Sequence, residues 1–189
     1  MAVVTKLERL REVALDQHGF VTTAQAVEEG VSHAELSTMV ARDRLKRVAH
    51  GVYRVPQVAE TEFDQYHLAA LWTGAPEACL SHDTALAVWE VSDINPDRIH
   101  LTVARHRRIR RAGGGLYVVH HQDLDAKQVT WWQGIPTVDV PTTIAQCIAA
   151  GVPTYLIRQA LDRAGRTSRL RPTDAEQLAR ALEARDGRG

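Results

Sequence analysis

The 189-residue chain is 44% hydrophobic and 24% charged, so it can bury a core, and these values exclude a disordered polypeptide. Its 23 basic and 23 acidic residues give a formal net charge of zero, which provides no overall basic footprint for nucleic acid. It has no apolar run of about 18 residues for a membrane span, and its early charges exclude a secretory signal. We therefore expect a cytoplasmic protein of one or two domains with no membrane partner.

A first helix is predicted between Val3 and His18, where apolar residues recur at three- and four-residue spacing. Gly19 then ends it. The stretch FVTTAQAVEEGVS follows, and Thr22 with Gln25 three residues later is typical of a capping box, in which hydroxyl and amide satisfy free backbone donors. A short second helix is therefore expected to reach about residue 29.

A third helix begins after Gly30, because Ser32 and Glu35 repeat the same capping pattern. Two short capped helices separated by a Gly-Val turn, after a longer first helix, indicate a helix-turn-helix. In that motif the second helix of the pair enters the major groove of DNA.

A β-hairpin wing is predicted in LKRVAHGVYRVP, with a tight turn at His50-Gly51 and Pro56 at its end. Cations at both feet of a wing lie where the adjacent phosphates would run. We therefore expect four cations of the wing to contact the DNA backbone: Arg44, Lys46, Arg47 and Arg54.

The exposed face of the third helix is expected to read bases, with His33 and Ser37 near the helix start and Arg42 placed to reach guanine or phosphate. The complete set of predicted DNA-binding residues is Thr23, Ser32, His33, Ser37, Arg42, Arg44, Lys46, Arg47, His50 and Arg54. Residues 1–56 carry eight cations and seven acids, so a winged helix used for protein contacts is the alternative.

Residues 57–189 are expected to form a second domain. Its predicted helices are ETEFDQYHLAALWTG, ACLSHDTALAVWEV and three final stretches that each open with Pro-Thr. Its predicted strands are RIHLTVA and GLYVVHHQ, joined by a flexible basic loop, and a pair within QVTWWQGIPTVDV. The fold class is therefore α+β, with an N-terminal winged helix-turn-helix at 1–56 and a mixed α/β domain that ends in helices.

The charges of this second part are segregated. Residues 57–97 contain eight acids and no Lys or Arg, whereas residues 98–111 contain six arginines and no acid. Such blocks attract different partners, or they face one another inside one domain. The basic block supplies a candidate second basic patch: Arg105, Arg107, Arg108, Arg110 and Arg111.

No catalytic or metal site is predicted. Adjacent His120 and His121 point to opposite faces of a strand, so the histidines fit no compact ligand spacing. The neighbours Ser81-His82-Asp83 cannot adopt the geometry of a catalytic triad, and Ser81 is expected to cap a helix. Cys79 and Cys147 are expected to be buried free thiols. With no phosphate-binding glycine motif either, we expect a protein without cofactors that is not an enzyme.

Three segments resemble the AbiEi-type antitoxins of type IV toxin-antitoxin systems: RVAHGVYRVP (47–56), the Ser81-His82 helix start with Trp89, and GIPTVDVPTTI (134–144). The resemblance implies a winged helix that binds inverted repeats in promoter DNA and represses its own operon. It also implies a C-terminal part that neutralises a nucleotidyltransferase-like toxin. The expected partners are thus double-stranded DNA and a cognate toxin, with the protein a monomer or a dimer assembled on DNA.

Two departures from the family pattern matter. Asp43 stands where the family often has Gly, which places an acid beside the expected phosphate contacts. Similar modules also open larger proteins that end in a Vsr-like endonuclease, but residues after 150 lack the carboxylate cluster and lysine of that domain. The alternatives are a stand-alone winged-helix transcriptional regulator without a toxin, and an enzyme or interaction module built on residues 57–160.

Overall fold

The structure is a computed structural model that describes residues 4–111 and 113–187. It divides into two compact units. The first runs to Pro76 and also includes the segment Ile109–Gly113, and the second consists of Glu77–Arg108 and the chain from Gly114 onward. The domain boundary after residue 56 stays a prediction, and the first compact unit extends past it.

The first three helices of the first unit start with side-chain caps, whereas the fourth starts without one. Its elements are α1 (Lys6–Leu15), β1 (Phe20–Thr22), α2 (Thr23–Glu28), α3 (His33–Ala41), β2 (Lys46–Ala49), β3 (Val52–Arg54) and α4 (Asp64–Thr73). The capping boxes predicted at Thr22 and Ser32 are both present, and Thr5 with Glu8 caps α1 in the same way. Val3, where the first helix was expected to begin, lies outside the described residues.

The first unit contains a three-stranded antiparallel sheet in the order β1-β3-β2. The hairpin β2–β3 confirms the predicted wing, and β1 adds a strand that the sequence did not predict. Buried side chains of the helices and the sheet form one core: Leu10, Ala14, Val21, Ala26, Val31, Leu36, Leu45 and Val55. The core therefore holds α3 and the wing in a fixed position relative to each other.

Among its described residues, the second unit contains a mixed five-stranded sheet and four α-helices. Its elements are β4 (Cys79–Leu80), α5 (His82–Val88), β5 (Ile99–Val103), β6 (Tyr117–His121), β7 (Val129–Trp132), β8 (Ile135–Val138), α6 (Val140–Ala149), α7 (Thr154–Arg166) and α8 (Pro172–Asp186). The strand order is β6-β5-β4-β8-β7, with β5–β6 and β4–β8 parallel and the other pairs antiparallel.

One prediction for this unit was wrong in part. The stretch ACLSHDTALAVWEV was predicted to be helical, but Cys79 and Leu80 pair with β5, and Leu80 also pairs with β8, in the centre of the sheet. Only the part from His82 onward forms a helix. The predicted strands and the final helices that open with Pro-Thr are present, so the α+β fold class is confirmed.

Both cysteines are buried free thiols, as predicted. Burial raises the pKa of the Cys79 thiol to about 12, and it raises the pKa of Cys147 as well. Neither sulfur is therefore a thiolate at neutral pH. None of the described helices has the length and apolar character needed to cross a membrane.

Candidate nucleic-acid interface

The start of α3 is fixed by a cap and an ion pair. Ser32 Oγ accepts a hydrogen bond from the Glu35 amide at 3.3 Å, and Glu35 Oε2 accepts one from the Ser32 amide at 2.9 Å. Lys6 Nζ donates to both carboxylate oxygens of Glu35, at 2.7 and 2.8 Å. These hydrogen bonds, from Lys6 above all, lower the pKa of Glu35 to about 2. The cap thus sets where α3 begins, and the ion pair between Lys6 and Glu35 ties α3 to α1.

The outer face of α3 carries small polar side chains. His33 and Ser37 are exposed, as predicted, and Ser37 Oγ donates to the His33 carbonyl at 3.0 Å. Thr38 is also exposed on this face and was not singled out in the sequence. Small side chains permit a close approach of the helix to base edges, and the Thr38 methyl suits contact with thymine.

The turn of the wing is held against the start of α2. Gly51 has φ +69°, a conformation that favours glycine, and its carbonyl accepts a 2.9 Å hydrogen bond from the Thr23 amide. His50 is exposed at the tip, where its Nδ1 lies 3.5 Å from an Arg47 guanidinium nitrogen. Thr23 and His50 therefore lie together at the wing turn.

Four exposed cations follow one another from the end of α3 into β2: Arg42, Arg44, Lys46 and Arg47. Within the described part of the chain, no ion pair neutralises any of them, although Lys6 of the same unit is paired with Glu35. Asp43 lies among them with φ +54°, the left-handed conformation in which a Gly would be unstrained. Residues 42–47 thus present four exposed cations and one exposed acid.

Arg54 does not belong to this surface, and its predicted contact with phosphate was wrong. Its side chain is 8% exposed, and Nη1 donates to Asp64 Oδ2 at 2.7 Å. The same guanidinium donates to the carbonyls of His18 and Val58, each at 3.2 Å, and lies over the Phe20 ring. Arg54 holds β3 against α4, a role that residue spacing does not show because it depends on how β3 and α4 pack together.

The predicted second basic patch is divided. In the second unit, Arg107 is paired with Glu77 by two hydrogen bonds of 2.7 and 2.8 Å, so part of the acidic block does neutralise part of the basic one. Arg105 and Arg108 are exposed there. In the first unit, Arg110 is exposed, while Arg111 is partly covered and hydrogen-bonded to the wing.

Three histidines meet in the second unit. His82 stacks on His120 with ring centroids 3.5 Å apart, and His120 Nε2 lies 3.2 Å from His100 Nδ1. His121 points away and is exposed, as the strand alternation predicted. Ser81 takes the N-cap position of α5, but its hydroxyl lies 3.0 Å from the His82 ring nitrogen and does not cap the helix.

Burial is the first cause that lowers the pKa of His82 to about 3 and of His120 to about 4, so both rings are neutral at pH 7. Within residues 4–111 and 113–187, no three His, Cys, Asp or Glu side chains are arranged to hold a metal ion. The three rings form a packing contact between α5, β5 and β6.

The fold and the exposed α3 face place the first unit in the class of winged-helix domains, which in general read DNA through the third helix and the hairpin wing. Residues 8–56 match the protein family described as "Transcriptional regulator, AbiEi antitoxin". This match confirms the family resemblance for the N-terminal domain and supports an antitoxin or regulator role.

A solved structure is similar to the chain in fold. It is the crystal structure of the RV2827C protein from Mycobacterium tuberculosis, with a TM-score of 0.54 and 15% sequence identity. The similarity covers 97% of this chain and 78% of that chain. A search of curated proteins gave no match.

Proposed function

We propose that this chain is the antitoxin of an AbiE-like pair and that its winged helix represses its own operon by binding promoter DNA. The observation that carries the DNA-binding part is the row of exposed cations Arg42, Arg44, Lys46 and Arg47, which no carboxylate neutralises within the described residues. Unpaired surface cations at the foot of a wing suit contact with phosphates. They can displace the counterions that surround DNA, and they do not first have to give up a carboxylate partner within the protein.

On this proposal α3 lies in the major groove with the base-reading side chains His33, Ser37 and Arg42. Ser32 contributes at the helix start, and Thr23 and His50 contribute at the wing turn. Two copies on inverted half-sites about 34 Å apart would assemble as a dimer on DNA, whereas the free protein would be a monomer. The protein acts in the cytoplasm, without a cofactor and without catalysis.

A reporter fused to the chain's own upstream region tests repression. The reporter should fall when the chain is supplied and should recover when one half of the inverted repeat is scrambled. A reporter that does not respond would overturn the repressor role.

The second part of the proposal is that the C-terminal part of the chain neutralises a nucleotidyltransferase-type toxin. The word antitoxin in the description of the matched family motivates this part, and the match itself covers residues 8–56, outside the C-terminal part. Co-expression with a neighbouring nucleotidyltransferase gene tests it: growth arrest that this chain relieves supports the antitoxin role. Repression without any such gene or relief would favour the alternative, a stand-alone winged-helix transcriptional regulator.

A further inference from the structure

Arg111 makes a contact with the wing that differs from the contacts of the other cations in its loop. Its Nη1 donates a 2.8 Å hydrogen bond to the carbonyl of His50, the first residue of the wing turn. Both residues belong to the first compact unit, although they are 61 positions apart in the chain. The exposed neighbours Arg108 and Arg110 have no ion pair among the described residues.

The end of α4 leaves space for this side chain. Gly74 ends the helix with φ +69°, and a Cβ at that position would coincide with the Arg111 guanidinium. The absence of a side chain at Gly74 therefore allows Arg111 to cross the end of α4 and reach the wing. The close approach of the Arg111 guanidinium to Gly74 is a second observation, besides the hydrogen bond to His50, that places this side chain between α4 and the wing.

The wing needs such a contact because of its place in the sheet. β2 is the edge strand of β1-β3-β2, so no further strand holds its outer side within the described residues. The turn is held by the Thr23 amide at the Gly51 carbonyl and by Arg111 at the adjacent His50 carbonyl. A two-residue turn fixed at both carbonyls loses less conformational freedom when it docks on DNA.

We propose that Arg111 is a positioning residue that holds the wing in its DNA-binding orientation and does not itself contact phosphate. This inference rests on the proposed function, since the wing orientation matters for DNA. It assigns one arginine of the basic loop a role distinct from that of Arg108 and Arg110. It also gives Gly74 a role, because the lack of a side chain there lets Arg111 reach the wing.

The first test compares Arg111→Met with Arg110→Met in the full-length chain without DNA, by hydrogen exchange of the wing amides. The two variants lose the same charge from the same loop. Arg111→Met should speed exchange of the amides in residues 46–54 by roughly tenfold, because the turn loses one of its two ties, while Arg110→Met should leave them unchanged. Equal exchange in the two variants would overturn the proposal.

A second pair of variants separates displacement of Arg111 from backbone strain. Gly74→Ala and Gly151→Ala both place a Cβ at a positive φ, +69° and +79°, but only the first would meet another side chain. Gly74→Ala should therefore reproduce the fast wing exchange of Arg111→Met, whereas Gly151→Ala should not. The same result for both glycines would overturn the displacement argument.

The DNA-binding test is a double-mutant cycle. Arg111→Met should weaken binding of the upstream duplex roughly tenfold in the wild-type background, and much less when Arg44, Lys46 and Arg47 are already Ala, because it acts through the wing. Additive losses would make Arg111 a direct phosphate contact and overturn the positioning role. Fast wing exchange in a protein that binds no DNA in any form would sustain the Arg111 contact and refute the proposed function instead.

Discussion

Arg54 Nη1 donates a 2.7 Å hydrogen bond to Asp64 Oδ2, and the two side chains are only 8% and 14% exposed. This pair joins β3 of the wing to the first turn of α4. The cation that the sequence places at the far foot of the wing is thus a structural element of the domain. The exposed cations of the wing are therefore those of β2, whereas Arg54 of β3 is buried.

Replacement of Arg54 should therefore affect stability and not DNA affinity. Arg54→Met leaves the Asp64 carboxylate without its partner in a largely buried place, and we expect a loss of roughly 3 kcal/mol in the free energy of unfolding. Urea unfolding measures the loss, and Arg44→Met serves as the exposed control with little change in stability. A folded Arg54→Met protein that bound DNA more weakly than Arg44→Met would return Arg54 to the interface.

The exposed cations should determine the salt dependence of binding. Replacing Arg44, Lys46 and Arg47 together by Ala should weaken binding to all duplexes and reduce the slope of log K against log salt by about three, close to one per lost phosphate contact. Anisotropy titrations at several salt concentrations measure this slope.

The control for that experiment removes three exposed arginines of α7 and α8, Arg158, Arg166 and Arg180, and so changes the net charge equally. Its slope should stay that of the wild type. If both triple variants lost the same slope, the effect would come from net charge and not from the wing.

The face of α3 should determine which sequences bind. Replacing His33 or Ser37 by Ala should change the discrimination between operator bases by about 1 kcal/mol, roughly fivefold, because the proposed function places each side chain at base edges near the helix start. Competition with duplexes altered at single positions, at constant salt, measures it. Arg44→Ala should instead weaken binding to all duplexes alike. The same uniform loss in His33→Ala would contradict the placement of α3 in the major groove.

The histidine stack should make the stability of the second unit fall in acid. Burial lowers the folded-state pKa of His82 to about 3 and of His120 to about 4, below the value near 6.5 of an unfolded chain. Between these values the unfolded state binds more protons, so the free energy of unfolding falls as the pH decreases from about 6.5 towards 4. Above pH 6.5 both states are neutral at these groups, and the effect disappears.

Urea unfolding at pH 7.5 and pH 5 measures this dependence. His82→Gln should reduce the difference between the two pH values, whereas His121→Gln, at an exposed position of the same strand as His120, should not. His67 of the first unit, whose pKa burial lowers to about 4, leaves a residual dependence in both variants. An unchanged difference in His82→Gln would show that the stack does not couple protonation to folding.

The parts of the fold that sequence predicted are those set by local chemistry. The capping pairs at Thr22 and Ser32 and the turn at Gly51 involve residues within three positions of one another, so their pattern is visible in the chain. The short strand Phe20–Thr22 was missed because its pairing with β3 comes from residues about thirty positions away. The sequence also does not predict the strand Cys79–Leu80, because its partners in β5 and β8 lie more than twenty positions away.

In the candidate site, the sequence predicted the exposed side chains but not the buried ones. The exposure of His33, Ser37 and Lys46 follows from helix periodicity and from the edge position of β2. The burial of Arg54 depends on Asp64, ten positions away, and on the carbonyls of Val58 and of His18, the latter 36 positions away. The contact of Arg111 with the wing spans 61 positions. Both depend on tertiary packing, which residue spacing does not contain.

The most direct test of the account is an anisotropy titration of the chain on its own upstream region and on random duplex at two salt concentrations. The upstream region should bind more tightly than random duplex, and both affinities should fall steeply as salt rises. Equal affinity for the two duplexes, or binding that salt does not weaken, would contradict the proposal that the winged helix is a sequence-specific repressor.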